Sequence, residues 1–83
     1  MSAVGYHITQ IERGEYGTLS KVLEEVHEAI DAQAQGSKIM LTVELADIYG
    51  ALEEVAVQNG LTMADLKIFS DITKRAFING VRK

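Results

Sequence analysis

Residues 18–60 read TLSKVLEEVHEAIDAQAQGSKIMLTVELADIYGALEEVAVQNG, and this stretch decides the fold. Apolar side chains recur in it at the three- and four-residue spacing of an α-helix, and Gly36-Ser37 interrupts the pattern. Thr18 or Ser20 could cap the first helix, and Gly36 is its expected left-handed stop, after which the second helix starts near Ser37. The stretch therefore predicts two helices that are joined by a short turn and pack antiparallel.

A third helix follows, so that the chain predicts helices over about 18–35, 37–59 and 62–79. Thr62 and Asp65 form a pattern like a capping box at the start of the third helix. The predicted fold class is all-α, an antiparallel helical hairpin plus a third helix. The predicted core stripes are Leu19, Val22, Leu23, Val26 and Ile30 in the first helix, Leu41, Leu45, Ile48, Leu52 and Val55 in the second, and Leu66, Phe69, Ile72 and Ala76 in the third.

Residues 1–17 precede the helices and form an arm that we expect to be ordered. Val4, Tyr6 and Ile8 alternate like a short strand, whereas the same segment would also fit one helical turn. The chain is therefore divided into this N-terminal arm and a single helical domain over 18–83.

Length and composition restrict the class of protein. The 83 residues, of which 47% are apolar and 24% charged, fit one globular domain. So short a chain buries a small fraction of its surface, which predicts a homo-oligomeric bundle, a dimer or a tetramer. The absence of cysteine excludes disulfides, thiolate nucleophiles and sulfur-ligated metals. No apolar run approaches the roughly 20 residues of a membrane span, so we expect a cytoplasmic protein without a membrane partner.

The charge pattern bears on the partners. A net charge of −4 argues against a nucleic acid polymer, whose phosphates need an excess of lysine and arginine. Residues 1–60 carry ten acidic and three basic residues, whereas residues 61–83 carry two acidic and five basic ones. An acidic body with a basic tail suits a metal–phosphate ligand, and it also suits an ordinary solvated surface.

Two pairs of carboxylates stand on the first two helices. Glu25 and Glu28 are three residues apart on the first, and Glu44 and Asp47 are three apart on the second. Positions three apart differ by about 60° around a helix axis, so each pair points one way and antiparallel helices let the pairs face each other. The second pair lies between two apolar rows, where charge is costly unless a cation is bound. Such an all-oxygen group favours Mg²⁺ or Mn²⁺ over zinc.

Two other interpretations of the acidic residues stay open. Carboxylates three apart on a helix are also typical of a solvated face. Glu24-x-x-His27 has the spacing of di-iron carboxylate bundles, in which a dimer of hairpins would supply two copies together with Glu44 of each chain. His27 lies off the apolar stripe, as exposed or interface histidines do, and His7, isolated in the arm, is a weaker ligand candidate.

The two pairs, E-x-x-E at 25–28 and E-x-x-D at 44–47 with 15 residues between them, resemble the acidic motif of the all-α nucleoside triphosphate pyrophosphatases, the MazG-like superfamily. The flanking residues 21–25 (KVLEE) and 43–49 (VELADIY) agree with this likeness, which spans about residues 12–82. It is closest to the short MazG-like proteins of bacteriophages, which would act in the host cytoplasm. The resemblance implies a hydrolase of nucleotide metabolism that converts a nucleoside triphosphate to the monophosphate and pyrophosphate.

The resemblance also assigns roles to residues. Glu24 and Glu25 are the catalytic candidates, and Glu24 or a further carboxylate such as Glu54 would orient the attacking water or help to hold another ion. Residues 74–80 (KRAFING) resemble the basic stretch that follows the acidic motif, although basic residues in the last turn of a helix also suit its dipole. The implied Mg²⁺ ligands are Glu25, Glu28, Glu44 and Asp47, and the implied substrate-binding residues are Lys74, Arg75 and Asn79.

One departure from the resemblance affects the pocket. Larger members of the superfamily have further helices around the base, whereas this chain has three. A second subunit or the N-terminal arm must therefore complete the site. An alternative function is a non-catalytic helical dimer that acts as a nucleotide- or protein-binding regulatory module.

Overall fold

Three α-helices make up the described part of the chain, which in the computed structural model is residues 7–80. α1 spans Leu19–Ala34, α2 spans Lys38–Gln58 and α3 spans Met63–Ile78. No strand occurs within the described residues. The all-α prediction is therefore confirmed, and each helix begins and ends within a few residues of its predicted bounds.

The helix ends follow local signals in the sequence. The Ser37 hydroxyl accepts a hydrogen bond from the Met40 N–H at 3.1 Å and caps α2. At α3 the capping box is complete, because the Thr62 hydroxyl accepts from the Asp65 N–H and the Asp65 carboxylate accepts from the Thr62 N–H. Gly36 has φ +74°, the left-handed conformation that ends α1 and turns the chain toward α2.

α1 and α2 form the packed unit, whereas α3 makes at most slight contact with either of them. Four alanines are buried in the α1–α2 unit, Ala29 and Ala32 on α1 and Ala51 and Ala56 on α2. Small side chains let two helices approach closely. The close approach brings the functional groups of α1 and α2 within reach of one another.

The apolar stripe predicted as the core of α1 is confirmed only in part, because Val22 and Val26 are half-buried and the other three residues are exposed. Leu19, Leu23 and Ile30 are each more than half exposed. The buried positions of α1 are instead alanines and acidic residues. A periodic apolar stripe indicates a face that avoids water, but it does not identify the neighbour that covers it.

The predicted core of α3 is not formed in the single chain, where Leu66 and Ala76 are only half-buried. No residue of Met63–Ile78 is buried, and Phe69 and Ile72 are more than half exposed. The stripe of α2 is partly confirmed, because most of it is half-buried while Leu45 is 55% exposed. Within the described residues, no helix combines the length and the apolar character needed to cross a membrane.

The arm is neither strand nor helix over residues 7–17. Its Ile11 is buried at the side of the helical unit. Val4 and Tyr6, on which the predicted alternation depended, lie outside the described residues. The described part of the arm is therefore an ordered, irregular segment that returns onto α1.

Gly14 fixes where the arm meets α1, and we predict that Gly14→Ala is destabilising. A Cβ at this position would collide with the backbone carbonyl of Ser20 and with the N–H of Lys21 at 2.5 Å. We expect the free energy of unfolding in urea to fall by about 1–3 kcal/mol. Gly50→Ala is the matched control, because Gly50 lies within α2 with open space around its Cα, and it should raise stability by up to about 1 kcal/mol. Equal effects of the two substitutions would contradict this account.

Candidate metal centre

Two adjacent helices bring four carboxylates together. Glu25 and Glu28 of α1 meet Glu44 and Asp47 of α2, and one oxygen from each lies within 4.8 Å of the others. We call these four residues the acidic cluster. Both pairs face inward because positions three apart share a helix side and the alanine contacts hold the helices close. The predicted meeting of the pairs is thus present, while their binding of metal stays a prediction.

The acidic cluster is closed at one end and open at the other. Glu44 is fully buried, Glu25 is 6% exposed, Glu28 is half-buried and Asp47 is exposed. The Glu25 Oε2 atom forms an ion pair with Lys21 Nζ at 3.0 Å. The buried Oε1 atom of the same carboxylate accepts no hydrogen bond. A buried carboxylate oxygen without a donor is costly, and a bound cation or a water that donates a hydrogen bond to the oxygen would remove that cost.

Crowding of negative charge raises the pKa values of the acidic cluster. Burial, a hydrogen bond with Glu44 and the charges of Glu25 and Glu44 raise the pKa of Glu28 to about 8. Burial also raises the pKa of Glu25, and burial together with the neighbouring Glu44 raises the pKa of Asp47. Protons therefore occupy part of the site at neutral pH, and a divalent cation would compete with them for the same oxygens.

His7 of the arm lies against the closed end of the acidic cluster. Its Nε2 atom is 3.1 Å from Glu44 Oε2 and 3.7 Å from Glu28 Oε1. Its Nδ1 atom is 2.8 Å from Asp31 Oδ2, and the imidazole side chain is only 1% exposed. Burial alone would lower the pKa of His7, but the hydrogen bonds to Asp31 and Glu44 raise it above its ordinary value. By sequence His7 is a weak ligand candidate because it is isolated in the arm, and the sequence does not predict that its ring lies against these carboxylates.

Asp31 anchors the arm to α1. Besides His7, its carboxylate accepts hydrogen bonds from the Ile8 N–H at 3.2 Å, the Thr9 hydroxyl at 3.0 Å and the Gln35 amide at 2.9 Å. Burial would raise its pKa, but these donors, with His7 first, lower the pKa of Asp31 to about 2. Asp31 was absent from the predicted site, although it continues the three-residue spacing of the first carboxylate pair.

Glu24 and Glu54, predicted near the chemistry, have other contacts. Glu24 is buried and accepts hydrogen bonds from the Gly14 N–H at 2.8 Å and from Lys21 Nζ at 3.2 Å. Burial would raise its pKa, but these two donors lower the pKa of Glu24. Glu54 accepts from the Gln58 amide at 2.9 Å. Neither residue belongs to the acidic cluster, so Glu25 is the one catalytic candidate that the fold brings into it.

A cavity of about 340 Å³ opens at the exposed end of the acidic cluster. Glu25 and Asp47 form part of its wall, so two carboxylates of the acidic cluster are accessible from the cavity. The absence of bulky side chains along this part of α2 creates the space. The other lining residues are Tyr16, Lys21, Ala46, Gly50 and Ala51.

The predicted phosphate-binding residues lie apart from the acidic cluster in the described chain. Lys74 and Arg75 lie on α3, which is not packed on the α1–α2 unit. Asn79 is the C-cap residue of α3. Both basic side chains act on the nearby Asp71, whose pKa is lowered chiefly by its hydrogen bond to Lys67. These three residues are therefore not brought to the carboxylates within one chain.

The spacing of Glu24 and His27 does not produce a shared site in the described chain. His27 is exposed, whereas Glu24 is buried against the arm. Among residues 7–80, the groups able to hold a metal are the acidic cluster and a second group of His7, Glu28 and Glu44. The nitrogen donor beside the carboxylates is thus supplied by the arm.

Comparison of the chain with models of protein families, with curated proteins and with solved structures finds no match. Its chemistry is therefore inferred from its own donor atoms. The buried Glu25 Oε1 atom, the crowding of the four carboxylates and the adjoining cavity fit a divalent cation that is held by oxygen ligands. The fold and this site describe a small helical protein with a candidate centre for Mg²⁺ or Mn²⁺.

Proposed function

We propose that the chain is a divalent-metal-dependent nucleoside triphosphate pyrophosphohydrolase, a hydrolase that converts a (d)NTP and water to a (d)NMP and pyrophosphate. One observation carries the proposal, the convergence of four carboxylates from α1 and α2 within 4.8 Å. Their order and spacing resemble the MazG-like motif, including its short phage forms. Mg²⁺ or Mn²⁺ is the cofactor that such oxygen donors favour.

Each residue of the acidic cluster has a separate role in the proposed reaction. A bound Mg²⁺ or Mn²⁺ would neutralise the triphosphate and make a water more acidic. Glu28 and Glu44 would hold the ion from the two helices, and Asp47 would hold it at the exposed end. Glu25 Oε1 accepts no hydrogen bond and is available to take a proton from the attacking water. The water oxygen bonds to the α-phosphorus while the bond from that phosphorus to the pyrophosphate oxygen breaks.

The cavity beside Asp47 supports entry of the triphosphate from that side. Lys21 lines it and already pairs with Glu25 Oε2 at 3.0 Å, so its ammonium group is close enough to contact a phosphate oxygen as well. Tyr16 lies at the rim with 66% of its surface exposed and offers an aromatic face to a base. The cavity therefore suits an anionic ligand that carries an aromatic group.

A homo-oligomer, a dimer or a tetramer, is part of the proposal. In it a neighbouring subunit would cover the bulky apolar side chains that one chain leaves exposed, such as Leu23 and Phe69. It would also allow α3 of one subunit to deliver Lys74, Arg75 and Asn79 to the phosphates at the acidic cluster of another.

If the exposed face of α1 lies in a subunit interface, a charge introduced there should dissociate the oligomer. We expect the protein to sediment at two or four times its chain mass of 9.1 kDa, and Ile30→Glu to shift it to the monomer. Ile30 is 57% exposed in the single chain, so its replacement leaves the chain's own fold intact. Gln33→Glu, an exposed polar position on α1, should leave the oligomer unchanged. A wild-type protein that is folded and strictly monomeric would contradict the oligomer.

A product assay tests the proposed reaction. The purified chain is incubated with a panel of canonical and modified (d)NTPs with Mg²⁺ or Mn²⁺, and monophosphate and pyrophosphate are measured. The expected result is release of both in equal amounts from at least one nucleotide, with none after chelation of the metal. Release of inorganic phosphate with a diphosphate would refute cleavage at the α-phosphorus. Binding of nucleotide without any product would favour the non-catalytic regulatory module.

A further inference from the structure

The surroundings of the His7 ring resemble those of a metal-binding histidine. Of the two ring nitrogens, Nε2 points to the carboxylates of Glu28 and Glu44, and Nδ1 points to Asp31. Histidine ligands of metals almost always donate their second ring N–H to a carboxylate or carbonyl, which fixes the tautomer and orients the ring. Asp31 meets this requirement at 2.8 Å, which leaves Nε2 as the nitrogen directed at the acidic cluster.

The spacing of the three donor atoms also fits one ion. Two ligands of the same metal lie about 3.0–3.5 Å apart, because metal–nitrogen and metal–oxygen bonds are roughly 2.0–2.2 Å long. The distances from Nε2 are 3.1 Å to Glu44 Oε2 and 3.7 Å to Glu28 Oε1. Small side-chain rotations would bring both oxygens to that separation.

A second observation concerns the acidic cluster, which shares Glu28 and Glu44 with the group that contains His7. The Glu25 Oε1 atom is buried and accepts no hydrogen bond, on a residue that is 94% buried and belongs to the same acidic cluster.

We propose that His7 is a metal ligand whose Nε2 atom, together with Glu28 and Glu44, makes a mixed nitrogen–oxygen site for a divalent transition ion such as Mn²⁺. Asp31 is its positioning residue. Imidazole binds transition ions better than it binds Mg²⁺ or Ca²⁺, so the arm biases the site away from purely oxygen-binding metals. The inference rests on the metal site of the proposed function, but not on nucleotide hydrolysis.

The competing role for His7 is purely structural. Its ring is buried and its contacts with Asp31 hold the arm on α1, which would be useful without any metal. A structural histidine would give no nitrogen signal from bound metal. It would also leave the preference between Mn²⁺ and Mg²⁺ unchanged when it is replaced.

Pulsed electron paramagnetic resonance of the Mn²⁺-loaded, tag-free protein separates these roles, because it detects ¹⁴N nuclei bonded to the metal. The chain has two histidines, so His27→Gln is the matched control. We expect imidazole coupling in the wild type and in His27→Gln, and its loss in His7→Gln. Mn²⁺ bound without nitrogen coupling, or coupling that persists in His7→Gln, would overturn the inference.

Calorimetric titration with each metal alone gives a second readout. We expect His7→Gln to weaken Mn²⁺ binding by about 10–100-fold and Mg²⁺ binding by only a few-fold. Asp31→Asn, which keeps the shape of the side chain, should weaken Mn²⁺ binding by about 10-fold while nitrogen coupling remains. Equal losses for the two metals in His7→Gln would overturn the proposed selectivity.

The same experiments distinguish this inference from the proposed reaction. Nitrogen coupling together with a failed product assay would leave the His7 site standing and reject the pyrophosphohydrolase. Product formation with a metal that lacks nitrogen coupling would do the reverse. A protein that binds neither Mn²⁺ nor Mg²⁺ would reject both.

Discussion

Glu44→Gln is expected to lower metal-dependent pyrophosphate release by at least about 100-fold. Substitution of a residue that contacts only a metal ligand commonly lowers metal affinity or activity by about 10–100-fold, and the loss of a ligand itself should be larger. Glu44 is fully buried and belongs to both groups of potential ligands, so its loss removes a donor that no neighbour replaces. Glutamine keeps the size of the side chain but replaces a charged oxygen by an amide. The measurement is the initial rate of pyrophosphate release with saturating nucleotide over a series of metal concentrations.

The control for this variant is Glu53→Gln, on the exposed side of the same helix. It makes the same chemical change without touching the acidic cluster and should keep the wild-type rate. The helical circular dichroism of both variants should match that of the wild type. A Glu44→Gln protein with full activity would contradict the assignment of the metal site, whatever its affinity for nucleotide.

The second large effect concerns stability without metal, which should fall as pH rises from about 5 to 8. The folded pKa of Glu28 is about 8, well above its ordinary value of 4.5. The folded state therefore holds a proton that the unfolded chain has lost, and this contribution is complete below the ordinary pKa and lost as pH rises through about 8. The raised pKa of His7 acts in the same direction. We expect the free energy of unfolding to decrease by roughly 1–3 kcal/mol over this range.

Added metal should reverse this loss. A ligand at 100 times its dissociation constant stabilises the folded state by about 2.7 kcal/mol. Because the cation competes with protons on the carboxylates, Mn²⁺ should stabilise the protein more at pH 8 than at pH 6. Urea unfolding at both values, with Mn²⁺ and with chelator, measures the difference.

Glu28→Gln isolates the group responsible. It removes a charge that Glu25 and Glu44 oppose, so the metal-free variant should be more stable than the wild type at pH 8 and should respond less to pH. Its stabilisation by Mn²⁺ should disappear. Glu12→Gln, an exposed change in the arm, should leave both behaviours unaltered. A wild-type protein whose metal-free stability rises between pH 5 and 8 would contradict the proposed electrostatics.

Local features of the fold were predictable from the sequence. Thr62 and Asp65 make the capping contacts expected of them, and Gly36 adopts the left-handed conformation that its position indicates, whereas the Thr18 side chain makes no capping hydrogen bond at the start of α1. These signals act within a few residues, so one stretch of sequence contains all the information they need. The facing of the two carboxylate pairs was also predictable, because a short turn leaves little choice in how two helices meet.

Rotation of α1 about its axis was not predictable. Leu19, Leu23 and Ile30 belong to the stripe that periodicity favours as a core, yet they are more than half exposed, and the buried residues of α1 are alanines and acidic residues. Hydrophobic periodicity records which face avoids water in the final assembly, and it does not distinguish the chain's own helix from another subunit.

The part played by the arm depends on contacts between distant residues. His7 and Asp31 are 24 positions apart, and His7 and Glu44 are 37 apart. The arm has no regular periodicity from which a return onto α1 follows. The spacing of Glu25, Glu28 and Asp31 does extend the acidic side of α1 by one more turn, and this was the available sign that a further polar group would meet it.

The central claim is that α1 and α2 hold a divalent cation between their carboxylates. Anomalous diffraction from crystals grown with Mn²⁺ tests it most directly, because the signal locates the metal independently of any enzymatic activity. We predict an anomalous peak roughly 2.0–2.3 Å from carboxylate oxygens of both Glu28 and Glu44. Well-ordered crystals at saturating Mn²⁺ with no peak between these two residues, or with peaks only at Asp65 or Asp71 on α3, would contradict it.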